Sequence, residues 1–248
     1  IPFGLYVFNQ EHKAIFKPQT VEKFSESPYE FLDKNYNTYD SIYDIEGTIL
    51  LIQNKSAIDE FSENELFYFA SHRNAIFYSN SNFSQKFADS LGFEIEYSND
   101  FADSLQFKIN RNQKAGNFYF NKGINTAYFS KIDSSKTEVL GTQINSKGEE
   151  FANFIKVKHL NGNFYLHLQP VAFTNYYLLN KNSQYTEDIL GYIPSKSPIY
   201  WKVKQYDNEE LSSSPMRYLL SQPALKWAWF LAWIAFVIFM IFNAKRRQ

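Results

Sequence analysis

Apolar positions along this chain follow two rhythms in turn and then lose all polarity near the end. At the start, Leu5, Phe8, His12 and Ile15 recur at helical spacing, and Pro2 suits the first turn of such a helix. Thr20 to Phe24 reads as a short strand, and Tyr29 to Lys34 as a helix after Pro28. Thr48-Ile-Leu-Leu-Ile-Gln53 and Asn74-Ala-Ile-Phe-Tyr78 are unbroken apolar runs, the pattern of strands covered on both faces. Ser62-Glu-Asn-Glu65 has capping-box spacing ahead of Leu66, Phe67, Phe69 and Ala70. Ser84 to Leu91 reads as a helix closed by Gly92. Strand, helix, strand, helix with short joints predicts right-handed crossover units.

Beyond Phe93 the period becomes two. Phe118 to Phe120, Thr126 to Phe129 and Thr137 to Leu140 alternate between turns rich in Asn and Gly. Phe154 to His159 and Phe164 to Gln169 flank Asn161-Gly162, which favours a hairpin. Thr174-Asn175 then caps a helical stretch toward Leu190, and Ile199 to Val203 is a last strand. The expected fold is α/β, three-layered, with a mainly parallel sheet and an antiparallel β extension.

From Trp227 to Phe242 no residue is charged or strongly polar. With Leu225 and Lys226 before it and Asn243 and Ala244 after it, the run reaches the roughly 20 residues that cross a bilayer. A transmembrane helix is therefore expected over 223–244, reached by a juxtamembrane tether over 206–222, with an outer domain over 1–205 and a tail starting at 245–248. Trp227, Trp229, Trp233 and Lys226 would sit at one membrane interface, and Lys245, Arg246 and Arg247 at the other, on the cytoplasmic side. This predicts membrane lipid as a partner and a bacterial inner-membrane location with a periplasmic globular domain. The opening Ile1-Pro-Phe3, with neither Met nor a signal-like segment, leads us to expect an export segment upstream.

Composition narrows the chemistry. With 25 Lys+Arg against 26 Asp+Glu and no charge block, nucleic acid is not an expected partner. Absence of Cys excludes disulfides, cysteine metal sites and a cysteine nucleophile. His12, His72, His159 and His167 lack metal-ligand spacing, no Gly-x-Ser-x-Gly elbow occurs, and no Gly-rich loop could cradle a phosphate. No catalytic residue, metal or cofactor is expected, and the chain reads as a non-enzyme.

In a doubly wound sheet, ligands bind at the carboxyl ends of the parallel strands. Those ends carry Asn54, Ser56, Ser79, Asn80, Thr174 and Asn175, with Tyr176 beside them. Short polar residues there suit a carboxylate, a sugar hydroxyl or a peptide end, and equally suit helix capping. Among the 18 Tyr, Tyr36, Tyr39 and Tyr43 lie in a predicted loop and are contact candidates.

Ile1-Pro-Phe-Gly-Leu-Tyr6, Ser27-Pro-Tyr-Glu-Phe31, Phe173-Thr-Asn-Tyr-Tyr177 and Ala224-Leu-Lys-Trp227 resemble the bacterial membrane proteins of domain-of-unknown-function family 4350. The resemblance implies a flavodoxin-like or class I amidotransferase-like extracytoplasmic domain and a link to a MoxR-type ATPase, with no established activity. The function expected is a non-catalytic, membrane-anchored module that binds a partner protein in a bacterial envelope complex. A carbohydrate- or peptidoglycan-binding domain, or a hydrolase using an unconventional nucleophile such as Ser79, are the alternatives.

Overall fold

The two unbroken apolar runs form adjacent parallel strands at the centre of an eleven-stranded mixed sheet in a computed structural model. It describes residues 2–54, 58–98, 104–110, 116–145, 147–180, 182–203 and 223–245. Strands β1 (Val21–Phe24), β4 (Thr48–Ile52), β5 (Ala75–Ser79), β12 (Gly162–His167) and β13 (Ile199–Lys202) make a parallel half in the order β1-β13-β4-β5-β12. The antiparallel half continues through β11 (Glu150–His159), β10 (Thr137–Ile144), β7 (Leu105–Ile109) and β8 (Gly116–Phe120). Strand β9 (Ala127–Ile132) pairs with both β11 and β6 (Phe93–Tyr97). A separate two-stranded hairpin joins β2 (Tyr36–Asn37) to β3 (Ile42–Tyr43).

Alternation along the strands divides the core in two. Leu50, Ile52 and Phe77 pack toward α1 (Tyr6–Ile15), α5 (Asn175–Leu179) and α6 (Ser183–Leu190). Ile49, Leu51, Ile76 and Tyr78 pack toward α2 (Pro28–Lys34), α3 (Glu60–Ser71) and α4 (Gln85–Leu91). Helices on both faces of a mixed sheet establish the α/β class.

Several boundaries differ from expectation for local reasons. Helix α1 starts at Tyr6 rather than at Pro2, because residues 2–5 are held against α5 by bonds from Asn175 N to Gly4 O and from Tyr176 N to Pro2 O. Helix α3 starts three residues before the expected box, since Asp59 is its cap and accepts the Ser62 amide at 2.9 Å. The β11–β12 turn is Leu160-Asn161, with Gly162 already paired to His159. The stretch from Thr174 to Leu190 divides into α5 and α6.

Residues 204–248 form a second unit, within which α7 (Pro223–Lys245) is a 23-residue helix. The expected span is corrected here: among the described residues no helix is long and apolar enough to cross a membrane. The wholly apolar stretch has sixteen residues, Trp227 to Phe242. Such a stretch rises only about 24 Å, against a hydrocarbon core of roughly 30 Å. The inner-membrane location, the periplasmic head and the cytoplasmic tail are withdrawn with the span. Arg246, Arg247, the tether at 206–222 and the side chains of Lys226 and Lys245 lie outside the described residues.

Candidate functional site

At the carboxyl ends of β5 and β12 the chain leaves the sheet toward opposite faces, into α4 on one side and toward α5 on the other. This is the switch point where a doubly wound sheet opens a crevice. Here the protein's own amides occupy it. Gln169 Nε2 donates to Asn125 O at 2.8 Å and to Gln143 Oε1 at 3.2 Å, and Gln169 Oε1 accepts from Asn125 N at 3.2 Å. Residues Asn121 and Lys122, between β8 and β9, both donate their amides to the Tyr177 hydroxyl, at 3.0 and 2.7 Å.

The residues expected to bind a ligand do not converge. Asn54 is exposed and accepts from Ser81 Oγ at 3.3 Å. Asn80 is buried, its side-chain amide donating to the Tyr78 hydroxyl at 3.0 Å. Thr174 donates to Val171 O at 2.7 Å, and Asn175 Oδ1 accepts from Val7 N at 2.7 Å, fixing the start of α1 to α5. Tyr176 leans on Phe3, ring centroids 5.8 Å apart, with the Lys122 ammonium 5.5 Å from its ring. Ser56 lies outside the described residues. Capping falls otherwise than expected: Ser84 caps α4, Thr174 makes no side-chain cap to α5, and Asn175 serves a first-turn amide of α1.

Ser79 does meet a base. Its Oγ lies 2.9 Å from His167 Nδ1, and His167 Nε2 lies 3.1 Å from the Tyr185 hydroxyl. A nucleophile must also be reached by its substrate. Ser79 and His167 are both completely buried, so the pair is built as core rather than as an active site.

The opposite edge of the parallel half is different. Residues Tyr43 to Gly47 lead into β4, His72 to Asn74 into β5, and Leu160-Asn161 into β12, so all three connections meet at the amino ends of these strands. Asn74 ties two of them, accepting from Gly47 N at 2.8 Å and donating to Phe69 O at 3.1 Å, and Asn161 Nδ2 donates to Ser71 O at 3.1 Å. On this frame stand four rings. Tyr68 on α3 and His72, the residue just past its end, have centroids 4.5 Å apart. Tyr36 and Tyr43 from the hairpin lie 5.7 and 5.9 Å from Tyr68, and Tyr43 lies 5.5 Å from His72.

Polar atoms in this cluster are ordered. The Tyr36 and Tyr68 hydroxyls share a 2.9 Å hydrogen bond, the Tyr43 hydroxyl donates to Glu65, and His72 Nδ1 meets Tyr68 O at 2.8 Å. Burial, then the bond to Glu65, push the Tyr43 phenol far above its usual range. The bond to Tyr36, with some desolvation, raises that of Tyr68. Both therefore remain neutral hydroxyls at physiological pH. Tyr68 is 40% exposed and Tyr39, at the hairpin turn, is 98% exposed. Next to His72 an open depression is lined by Ser71, Arg73, Leu160 and Asn161. Two residues with positive φ, Arg73 and Leu160, line this depression. Tyr36, Tyr39 and Tyr43 were legible as contact candidates; Tyr68 and His72 could have been found from their i,i+4 spacing.

No family model matches the chain, and no curated protein does. Solved structures similar to it include an exo-β-1,4-mannosidase from an Opitutaceae bacterium, at 12% identity and TM-score 0.42, covering 60% of this chain and 25% of that one. A GH42 β-galactosidase from G. stearothermophilus is 8% identical at TM-score 0.38, covering 66% and 25%. A cytoplasmic protein of Salmonella typhimurium is 10% identical at TM-score 0.35, covering 78% and 76%. The chain thus spans about a quarter of the two glycosidases, and TM-scores below 0.5 assign it no activity. The expected non-catalytic, membrane-anchored partner-binding module is corrected on its anchor: among the described residues no helix is long and apolar enough to cross a membrane.

Proposed function

We propose that this domain binds a sugar ring on the tyrosine surface at the amino ends of β4, β5 and β12. One observation carries the reading: Tyr36, Tyr43, Tyr68 and His72 form a mutually packed aromatic cluster beside an open depression, and the turn between Tyr36 and Tyr43 carries the fully exposed Tyr39. Aromatic faces accept the apolar C–H face of a sugar, while the accessible hydroxyls of Tyr36 and Tyr68, with Asn161 and Arg73, serve its hydroxyls. A platform fixed by its own hydrogen bonds loses little entropy on binding.

Titration calorimetry against a panel of neutral and charged oligosaccharides tests the reading. Tyr39→Ala and Tyr68→Ala should each weaken binding about two- to tenfold, the range for one aromatic contact. If the wild-type protein shows no saturable binding to any of the sugars, the proposal fails.

We also propose the finer fold reading, flavodoxin-like or amidotransferase-like, and membership of family 4350. Support comes from the five parallel strands with helices on both faces.

A further inference from the structure

Independently of that surface, we infer that His167 is an acid-sensitive latch holding the parallel half, the antiparallel half and α6 together. It is the last residue of β12, the strand that pairs with β5 in parallel and with β11 in antiparallel fashion. One ring nitrogen faces Ser79 of β5 at 2.9 Å and the other faces Tyr185 of α6 at 3.1 Å. A neutral imidazole donates to one hydroxyl and accepts from the other, so both bonds are matched. Asn153 of β11 extends the chain, its amide 3.5 Å from the Tyr185 hydroxyl.

The groups facing the ring leave a positive charge unopposed. From β11, Phe154 stands edge-on at 5.6 Å, and from the 3₁₀ turn Pro170–Phe173, Phe173 does the same at 5.6 Å. Ser79 comes from β5, and from α6 comes Tyr185, whose phenol burial drives up rather than toward a phenolate. Among the described residues no Asp, Glu, Lys or Arg pairs with His167. Desolvation alone lowers its pKa from 6.5 to about 3. Above pH 6.5 both folded and unfolded chains hold it neutral. Below that, the unfolded chain takes up a proton that the folded chain refuses, so stability falls as pH falls from 6.5 toward 3.

Urea unfolding of the full chain at pH 6.5 and 4.5, wild type against His167→Gln, reads this directly. The wild-type unfolding constant should rise roughly fiftyfold more than that of the variant over this interval. Parallel pH profiles would overturn the inference. If the variant does not fold, nitrogen NMR of the wild-type imidazoles decides. Resonances of His167 should keep neutral-ring values down to pH 4.5; a native-state titration near 6.5 sinks the latch.

Discussion

A methyl group is too large for position 162. A Cβ built on Gly162 would overlap the carbonyl oxygens of Ala70 and Asn74, where the start of β12 passes under the end of α3. Both obstacles are backbone, which cannot swing aside as a flexible side chain would. Gly162→Ala should therefore cost about 3 kcal/mol, at the upper end for overpacking, measured as a lower urea midpoint at unchanged slope. An unchanged midpoint would mean that β12 and α3 separate freely. Sequence reasoning singled out Gly162 as half of a favoured Asn-Gly turn. Its real constraint is a tertiary approach between segments ninety positions apart, which no local pattern encodes. His167 illustrates the same limit. As one of four isolated histidines it had no spacing partner, because Ser79 and Tyr185 reach it through the fold.

Among the elements, helix starts carry much local information, and the sequence pattern located the start of α4 though it placed the cap of α3 at Ser62 rather than Asp59. Ser84 is the clearest case: its Oγ accepts Phe87 N at 3.1 Å and donates to Glu63 at 2.8 Å. Glu63 is itself almost wholly buried, and desolvation raises its pKa while the Ser84 bond opposes that rise. Removing the hydroxyl deletes a cap and strips a donor from a buried carboxyl. Ser84→Ala should cost about 2 kcal/mol, a cap plus part of an unmet hydrogen bond, whereas Ser84→Asp should retain the cap yet set a second carboxylate against Glu63. Chemical denaturation of both variants separates the two contributions, and an Ala variant as stable as wild type would refute the double role. Strands β4, β5 and the crossovers were legible because their burial on both faces forces unbroken apolar runs. The β2–β3 hairpin was read as a loop, since two-residue strands leave no periodicity. The candidate site was expected at the carboxyl edge on general grounds, but here amides of Asn125, Gln143 and Gln169 fill that edge, while the rings gather at the other.

For the molecule as a whole, the order of strands sets which truncations the first unit can survive. Both apolar clusters are built from residues within 2–203, so a chain ending at Val203 retains every member of the core. Strand β13 arrives last in sequence yet lies inside the sheet, between β1 and β4, with Val21 opposite Ile199 on one side and Ile199 opposite Thr48 on the other. Ile199, Tyr200 and Trp201 are all buried. Each is worth about 1.5–3 kcal/mol of burial, and the loss of two ladders adds to that. The total is comparable with the 5–15 kcal/mol that holds a typical domain together. A chain ending at 203 should thus melt in one cooperative transition, followed by circular dichroism, while a chain ending at 197 should show none. Cooperative melting of the shorter chain would mean that β1 and β4 can close the gap without β13, and that the parallel half is not built around it.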